Sequence, residues 1–154
     1  METAKHTAEI TEAEHLLDGV RHIHFIGCGG SGMYPLIQIL AAKGYELSGS
    51  DVLEGSIPGY ERAMGVRVTI GHSAENVQGA DLVVYSAAIA RTNVEIEAAR
   101  AQGIPTVERS VLLGYVSRLF ANCVCVSGTH GKTTTTSLIR SEEHTSELQS
   151  HACI

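Results

Sequence analysis

A glycine-rich segment with a lysine and several threonines is the strongest chemical signal in this chain. The segment is Gly128-Thr129-His130-Gly131-Lys132-Thr133-Thr134, and it follows the short apolar run Cys123–Val126. Such a run is typical of a buried parallel strand. Glycines that lead into a helix allow backbone N–H groups to approach a phosphate, and the helix N-terminus adds partial positive charge. The pattern therefore predicts a phosphate-binding loop between a strand and a helix.

The side chains of this loop suit the binding of a nucleotide with its metal ion. Lys132 can reach the terminal phosphates, and the Thr133 hydroxyl can coordinate Mg²⁺. His130 has either a functional role or a role in shaping the loop. The general P-loop has a glycine where Val126 stands, so this is a shortened variant. An ordinary turn rich in glycine and threonine is the alternative interpretation.

A second glycine-rich loop lies near the start of the chain, after a predicted strand and before a predicted helix. Gly27, Gly29 and Gly32 match the pattern G-x-G-x-x-G in this setting. Asp51 ends the next predicted strand and is the acidic residue that could reach a ribose hydroxyl, with a turn or capping carboxylate as the alternative. The pattern predicts a site for the diphosphate of a nucleotide.

Strands and helices alternate along the chain between the two loops. We predict strands at 22–27, 46–50, 66–70, 82–86, 105–107 and 123–127. We predict helices at 32–43, 57–64, 93–102, 109–120 and 131–139. This alternation indicates an α/β fold, a doubly wound parallel sheet of the Rossmann-like type with right-handed crossovers. Its ligands are expected at the carboxyl ends of the strands.

Three polar residues outside the glycine loops are further candidates for ligand contacts. Ser86 follows a predicted strand, and Arg109 precedes a predicted helix, where it could meet a phosphate, a carboxylate or only a solvated partner. Asn93 lies at the start of another helix. Thr92 and Glu95 have the spacing of a capping box, which would account for Glu95 without a ligand.

Four segments of the chain, in order within residues 20–139, resemble the Mur ligase family. They are His24–Met33, Ser48–Asp51, Tyr85–Ile89 and Gly128–Thr134. His130 favours the member that adds L-alanine over most members that add later amino acids, since those usually have asparagine there. Cys28 departs from the family pattern, which has an aliphatic residue at this position, and we expect Cys28 to be buried.

The resemblance implies an ATP-dependent ligation in peptidoglycan precursor synthesis. ATP would phosphorylate the lactoyl carboxylate of UDP-N-acetylmuramate, and the amine of L-alanine would attack the acyl phosphate. ATP would lie on residues 128–134 with Lys132, Thr133 and His130 as catalytic residues and Thr133 at Mg²⁺. The resemblance, with the candidates above, places the UDP-sugar near Gly27, Gly29, Gly30, Ser31, Gly32, Met33, Asp51, Ser86, Asn93 and Arg109. A non-catalytic module that binds a UDP-sugar and an NAD-dependent oxidoreductase are the alternatives, and the second leaves the P-loop unexplained.

The predicted organisation has four parts, and the last is the least like the rest. They are a leader at 1–20, a UDP-sugar-binding domain at 21–120, the start of an ATP-binding domain at 121–139 and a tail at 140–154. The apolar pattern stops at Arg140, and Arg140–His144 is what the codons AGA-TCG-GAA-GAG-CAC of a widely used sequencing adapter encode. We interpret 140–154 as non-native, with a genuine polar helical tail as the alternative. On either interpretation the ATP-binding domain is cut short, so we expect no catalysis by these residues alone.

Composition narrows the range of partners. Hydrophobic residues make up 44% of the chain, charged residues 18%, and the net charge is −6. The hydrophobic fraction allows a core of ordinary size, whereas the acidic balance argues against nucleic acid or an anionic membrane as partner. No apolar run reaches membrane length and residues 1–18 lack a signal-peptide core, so the cytoplasm is the expected compartment.

The adapter interpretation predicts the outcome of resequencing the source DNA across codon 139 from an independent amplification. We expect the reading frame to continue into further alternating strands and helices. A frame that again ends at Ile154 would contradict the interpretation and favour the non-catalytic binding module.

Overall fold

Five strands form one parallel sheet in the computed structural model, which describes residues 15–53 and 56–143. The strands are β1 (His22–Ile26), β2 (Glu46–Asp51), β3 (Arg67–Ile70), β4 (Leu82–Tyr85) and β5 (Thr106–Glu108). Their order across the sheet is β3-β2-β1-β4-β5, and every neighbouring pair is parallel. The chain winds outward from β1 in both directions. The predicted doubly wound α/β sheet is confirmed over these five strands.

Among the described residues, five helices connect or follow the strands and begin close to the predicted residues. They are α1 (Tyr34–Ala42), α2 (Ser56–Ala63), α3 (Val94–Ala101), α4 (Arg109–Arg118) and α5 (Lys132–Glu143). A short 3₁₀ helix at Ala74–Val77 lies in the crossover from β3 to β4 and was not predicted. Most of the predicted leader and of the tail after Glu143 lies outside the described residues.

The middle of the sheet is the core of the domain. All five residues of β1 are buried, because β1 is flanked by strands at both edges. Helix α1 contributes Leu36, Ile37 and Leu40, which are buried at helical spacing. The chain order reverses beside β1, which has β2 on one side and β4 on the other. Such a switch point separates the loops that follow the two strands and leaves a crevice for a ligand.

The predicted sixth strand at 123–127 is wrong in this structure. These residues have no regular secondary structure, and the side chain of Val124 is 55% exposed. An apolar, β-branched run favours a strand, but a strand also requires a neighbour for its N–H and C=O groups. No other strand pairs with 123–127 among the residues that the structure describes, so the local preference is not realised.

The chain divides into two compact units between Tyr115 and Val116. The first contains the sheet and the loop at 27–32. The second contains the loop at 128–134 and α5. Across 15–53 and 56–143, no helix is both long enough and apolar enough to cross a membrane.

Gly49 in β2 allows the loop after β1 to lie against the sheet. A Cβ atom at Gly49 would be 2.7 Å from Cys28 Cβ, 2.9 Å from Cys28 Sγ and 3.1 Å from the carbonyl oxygen of Phe25. Cys28 is fully buried, as expected from the sequence. Because the closest atoms belong to packed or backbone groups, the strand and the loop cannot separate without disturbing the core.

Gly49→Ala is therefore expected to lower the free energy of unfolding by about 2 kcal/mol, the usual cost of overpacking. Urea unfolding followed by circular dichroism measures the change. Gly59→Ala in α2 is the matched control, since a Cβ there meets no atom within 4 Å. That substitution should leave stability unchanged or raise it. Equal stability of the Gly49→Ala variant and the original chain would contradict the close approach.

Candidate functional site

The glycine loop after β1 is held by the end of β2. The N–H groups of Gly27 and Cys28 both donate to the carbonyl oxygen of Ser50, at 2.8 and 3.1 Å. The N–H of Gly29 donates to Asp51 Oδ2 at 2.8 Å. Three successive loop amides are thus directed to protein acceptors. Their positions are fixed by β2 rather than by a ligand.

The first glycine of the loop is required by both conformation and space. Gly27 has φ +77°, a left-handed conformation that is strained for other residues. A Cβ atom there would be 3.3 Å from Ile89 Cδ1 and 3.7 Å from Ser86 Cβ. The loop therefore lies close to the segment that follows β4. This contact brings Ser86 to the same edge of the sheet as the glycine loop.

Arg109 at the start of α4 lies beside the last glycine of the loop. A Cβ at Gly32 would be 3.4 Å from both Cζ and Nη1 of Arg109, so glycine leaves room for the guanidinium group. Among the described residues, the N–H groups of Ser31 and Gly32 have no protein acceptor. Two open donors and a cation therefore meet at one end of the loop. This combination suits a phosphate group.

The other predicted contacts differ in what they can offer a ligand. Asp51 accepts from Gly29 through Oδ2 and from Leu53 N–H through Oδ1, at 2.8 and 3.1 Å, so it orders the loop. The side chain of Met33 is buried in the core. Ser86 is partly exposed, and its Oγ accepts from Ala88 N–H at 3.3 Å.

The predicted capping box at the start of α3 is wrong. The N-cap is Asn93, whose Oδ1 accepts a hydrogen bond from the N–H of Glu95 at 2.9 Å. This bond also occupies one of the polar atoms that Asn93 could offer to a ligand. The Glu95 side chain is fully buried and points into the domain. The interior offers its carboxylate several donors, whereas a capping box offers one exposed N–H. Tertiary contacts therefore override the local pattern.

Glu95 is the centre of a buried hydrogen-bond network that reaches the end of β2. Its Oε2 accepts from Ser50 Oγ at 2.6 Å and from His24 Nε2 at 3.3 Å. Its Oε1 accepts from Asn76 Nδ2 and from Ser73 N–H. His72 Nδ1 lies 3.1 Å from Ser50 Oγ. The carboxylate thus connects α3 with β1, with β2 and with the 3₁₀ segment before β4.

Two histidines extend this network along β1. Ser48 Oγ lies 2.7 Å from His22 Nε2 and 2.8 Å from His24 Nδ1. His22 Nδ1 lies 2.8 Å from the carbonyl oxygen of Gly79. Both side chains are buried on one face of the central strand. They are therefore structural partners within the sheet.

The donors around Glu95 control its charge. Burial alone would raise the pKa of its carboxyl group, but hydrogen bonds from His24, Ser50 and Asn76 outweigh burial and lower the pKa to about 2. A carboxyl group with a lowered pKa stabilises the fold above its ordinary pKa near 4.5. That stabilisation is lost as the pH falls through about 2.

Glu95→Gln should lower the free energy of unfolding by about 3 kcal/mol at pH 7, because an amide NH₂ group then faces buried donors. Urea unfolding at pH 7 and pH 3 measures the effect. The difference from the original chain should shrink at pH 3, where part of the carboxylate's contribution is lost. Glu97→Gln, which removes an exposed carboxylate from the same helix, should change stability by less than about 0.5 kcal/mol. If Glu95→Gln also lowered the free energy of unfolding by less than about 0.5 kcal/mol, the stabilising role of the network would be contradicted.

The second predicted site lies in the second compact unit. Helix α5 begins at Lys132, and Gly131 before it has φ +79°. Lys132 Nζ donates to the carbonyl oxygens of Gly128 and Thr129, at 2.6 and 3.4 Å. All residues from Gly128 to Thr134 are exposed. The start of α5 agrees with the helix predicted at 131–139, the strand before the loop is not formed, and the phosphate-binding role of 128–134 stays a prediction.

Two buried carboxyl groups near the first loop were not predicted as important. The sequence explains Glu95 by capping without need of a ligand, and Glu61 in α2 belongs to no motif, yet both are fully buried. A glutamate in a helix is ordinarily exposed, so neither has a signal in the sequence. Within 15–53 and 56–143, no three or more His, Cys, Asp or Glu side chains are grouped so that they could hold a metal ion.

Comparison with known proteins identifies the family. The model of the Mur ligase family, catalytic domain, matches residues 22–121. The UDP-N-acetylmuramate–L-alanine ligase of Burkholderia multivorans is 47% identical over 122 residues, 79% of this chain and 26% of that protein. The enzyme of the same name from Nitrobacter hamburgensis is 51% identical over 117 residues, 76% of this chain and 25% of that protein. The chain thus spans about a quarter of the length of these curated relatives.

Solved structures agree with this assignment. The UDP-N-acetylmuramate–alanine ligase of Thermotoga maritima superposes with a TM-score of 0.74 at 32% identity, over 80% of this chain and 29% of that one. A murein peptide ligase from Psychrobacter arcticus gives a TM-score of 0.74 at 29% identity, over 80% of this chain and 26% of that one. Since the family model covers well over half of the residues, the chain belongs to the Mur ligase family.

Proposed function

We propose that residues 21–120 bind UDP-N-acetylmuramate, and that the protein ligates L-alanine to its lactoyl carboxylate with ATP. The observation that carries the proposal concerns the end of the glycine loop. There the open N–H groups of Ser31 and Gly32 meet the guanidinium group of Arg109. A diphosphate is the ligand that this arrangement suits best, because it combines charge with acceptors for two backbone donors. The relatives that the chain matches are named for a UDP-sugar substrate, so we propose that the nucleotide is UDP.

The pre-ordered loop supports tight binding of such a ligand. The hydrogen bonds from Gly27, Cys28 and Gly29 to β2 fix the backbone before the ligand arrives. Little conformational entropy is then lost on binding. Asp51 holds Gly29 through Oδ2, and its carboxylate keeps lone pairs that could accept a ribose hydroxyl. Ser86 and Asn93 are proposed as contacts at the rim of the same site.

The second loop is proposed as the site of ATP and Mg²⁺. The left-handed Gly131 and the start of α5 at Lys132 fit a phosphate-binding turn. Residues 128–134 would hold the phosphates, with the Thr133 hydroxyl as a ligand of Mg²⁺. When bound, ATP supplies the phosphoryl group that activates the carboxylate. Lys132 would move from its loop carbonyls to neutralise charge on the phosphates, and His130 would orient the loop.

The amine substrate and the compartment complete the proposal. L-Alanine is proposed because the curated relatives carry it in their names. The cytoplasm is proposed because ATP is available there. Neither point depends on the geometry of the glycine loop, so binding of the UDP-sugar can be tested separately.

Arg109→Met should weaken binding of UDP-N-acetylmuramate by about tenfold to a hundredfold, because one charge-assisted contact to a phosphate is lost. Isothermal titration calorimetry on the chain measures the dissociation constant. Raising the salt concentration should weaken binding by the original chain more than binding by the variant. Arg100→Met, which removes an exposed arginine from α3, is the control and should bind as the original chain does. Binding of NADH without binding of UDP-N-acetylmuramate would contradict the proposed function.

A further inference from the structure

Glu61 is a buried acid with no well-formed hydrogen bond among the described residues, and the site described above does not use it. Its side chain is fully buried in α2. Neither carboxyl oxygen has a hydrogen-bond partner of acceptable geometry among the described residues. An ionised carboxylate in such a place is disfavoured, because the nearby Cys28 thiol is a weak donor and does not replace the water that the carboxylate has lost. The uncharged acid is therefore the form that the packing accommodates.

The groups around Glu61 connect it to the glycine loop. Cys28, in the loop, and Asp51, at the end of β2, both act on its carboxyl group. Cys28 donates its N–H to Ser50, and Asp51 accepts from Gly29. A charge on Glu61 would therefore act on the two residues that fix the loop.

The remaining charged neighbours do not neutralise Glu61. Arg62, on the same helix, is exposed and lies 3.4 Å from the carbonyl oxygen of Val68 through Nη2. Strand β3 packs against α2 and contributes Arg67, which pairs with Glu46 at 2.7 Å. Helix α1 also packs against α2 and contributes Tyr34, whose ring faces that of Tyr60. Among the charged groups, Asp51 acts on Glu61 more strongly than Arg62 does, and it repels a charge on Glu61.

We propose that ionisation of Glu61 controls the glycine loop, so that the loop binds an anionic diphosphate more tightly when Glu61 is uncharged. The proposal rests on the proposed function for the identity of the ligand, but the coupling between Glu61 and the loop exists without a ligand. Two effects act in the same direction. The buried charge repels the incoming anion, and it disturbs Cys28 and Asp51, which hold the loop.

The pH range of this control follows from the surroundings. Burial is the main cause that raises the pKa of Glu61 from 4.5 to about 7. A hydrogen bond from the Cys28 thiol lowers this pKa, the negative charge of Asp51 raises it, and the positive charge of Arg62 lowers it. Burial likewise raises the pKa of the Cys28 thiol, so Cys28 stays protonated. An acid whose pKa is raised in the folded protein stabilises the fold, and this stabilisation is fully present at pH values below the ordinary pKa of 4.5. That contribution is lost as the pH rises through about 7.

The first test needs no ligand. The amide resonances of Gly27, Gly29 and Gly30, followed by NMR, should shift with a midpoint near pH 7 in the original chain. Glu61→Gln, which keeps the shape without the charge, should remove this titration. Loop amides that do not titrate, or that titrate equally in the variant, would overturn the proposal.

The second test uses UDP-N-acetylmuramate, whose diphosphate diester and carboxylate keep their charge between pH 6 and 8.5. Its dissociation constant should rise about fivefold across this range, on the order of one screened like-charge repulsion. In Glu61→Gln the dissociation constant should stay near the low-pH value of the original chain. An equal pH dependence of the dissociation constant in the original chain and in Glu61→Gln would overturn the proposal. Glu97→Gln is the matched control, because it also removes one negative charge.

The two tests separate the proposals from each other. Loop amides that titrate through Glu61 in a chain that does not bind UDP-N-acetylmuramate would sink the proposed function and leave the coupling in place. If Glu61→Gln does not fold, Glu61→Leu removes the charge with an apolar side chain and takes its place in both tests.

Discussion

The first unit depends on the attachment of the glycine loop to the end of β2. The carbonyl oxygen of Ser50 and the carboxylate of Asp51 accept three successive amides, those of Gly27, Cys28 and Gly29. This attachment uses up the donors at the start of the loop and leaves those at its end open. A loop of the same sequence without β2 would have no reason to adopt this conformation, because short glycine-rich segments have many alternatives of similar free energy.

Two buried glutamates show how surroundings decide the behaviour of the same side chain. Glu95 is surrounded by donors and is stable as a carboxylate, so it strengthens the end of β2 through Ser50. Glu61 has no hydrogen-bond partner of acceptable geometry among the described residues and lies near Asp51, so it is stable as the uncharged acid. The first carboxylate anchors the end of β2 through Ser50. The second makes the site sensitive to pH within the range where cells operate.

The family relationship and the geometry contribute different parts of the functional conclusion. Membership of the Mur ligase family rests on a match to residues 22–121 and on relatives of which the chain spans about a quarter. The loop with its open donors and Arg109 supports an anionic ligand in the first unit independently of that match. The turn at Gly131 and Lys132 supports a phosphate site in the second unit, although 123–127 does not form the strand expected before it.

Sequence patterns alone predicted the five-stranded parallel sheet, the succession of its strands and helices and the glycine turn after β1, because hydrophobic periodicity and glycine spacing are local properties. Gly27 is readable in this way, since its conformation excludes other residues. The phosphate-binding role of 128–134 stays a prediction. Only the tertiary structure decided that Asn93 caps α3, that Glu95 turns inward and that 123–127 remains unpaired. The last two outcomes depend on groups in distant segments, because a carboxylate follows the larger number of hydrogen bonds wherever they lie. The cap is local, since Asn93 Oδ1 accepts from Glu95 N–H two residues on, but it becomes the cap only once Glu95 turns inward. The charge of Glu61 is likewise a property of its neighbours, because burial and the approach of Asp51 have no signature in a linear pattern.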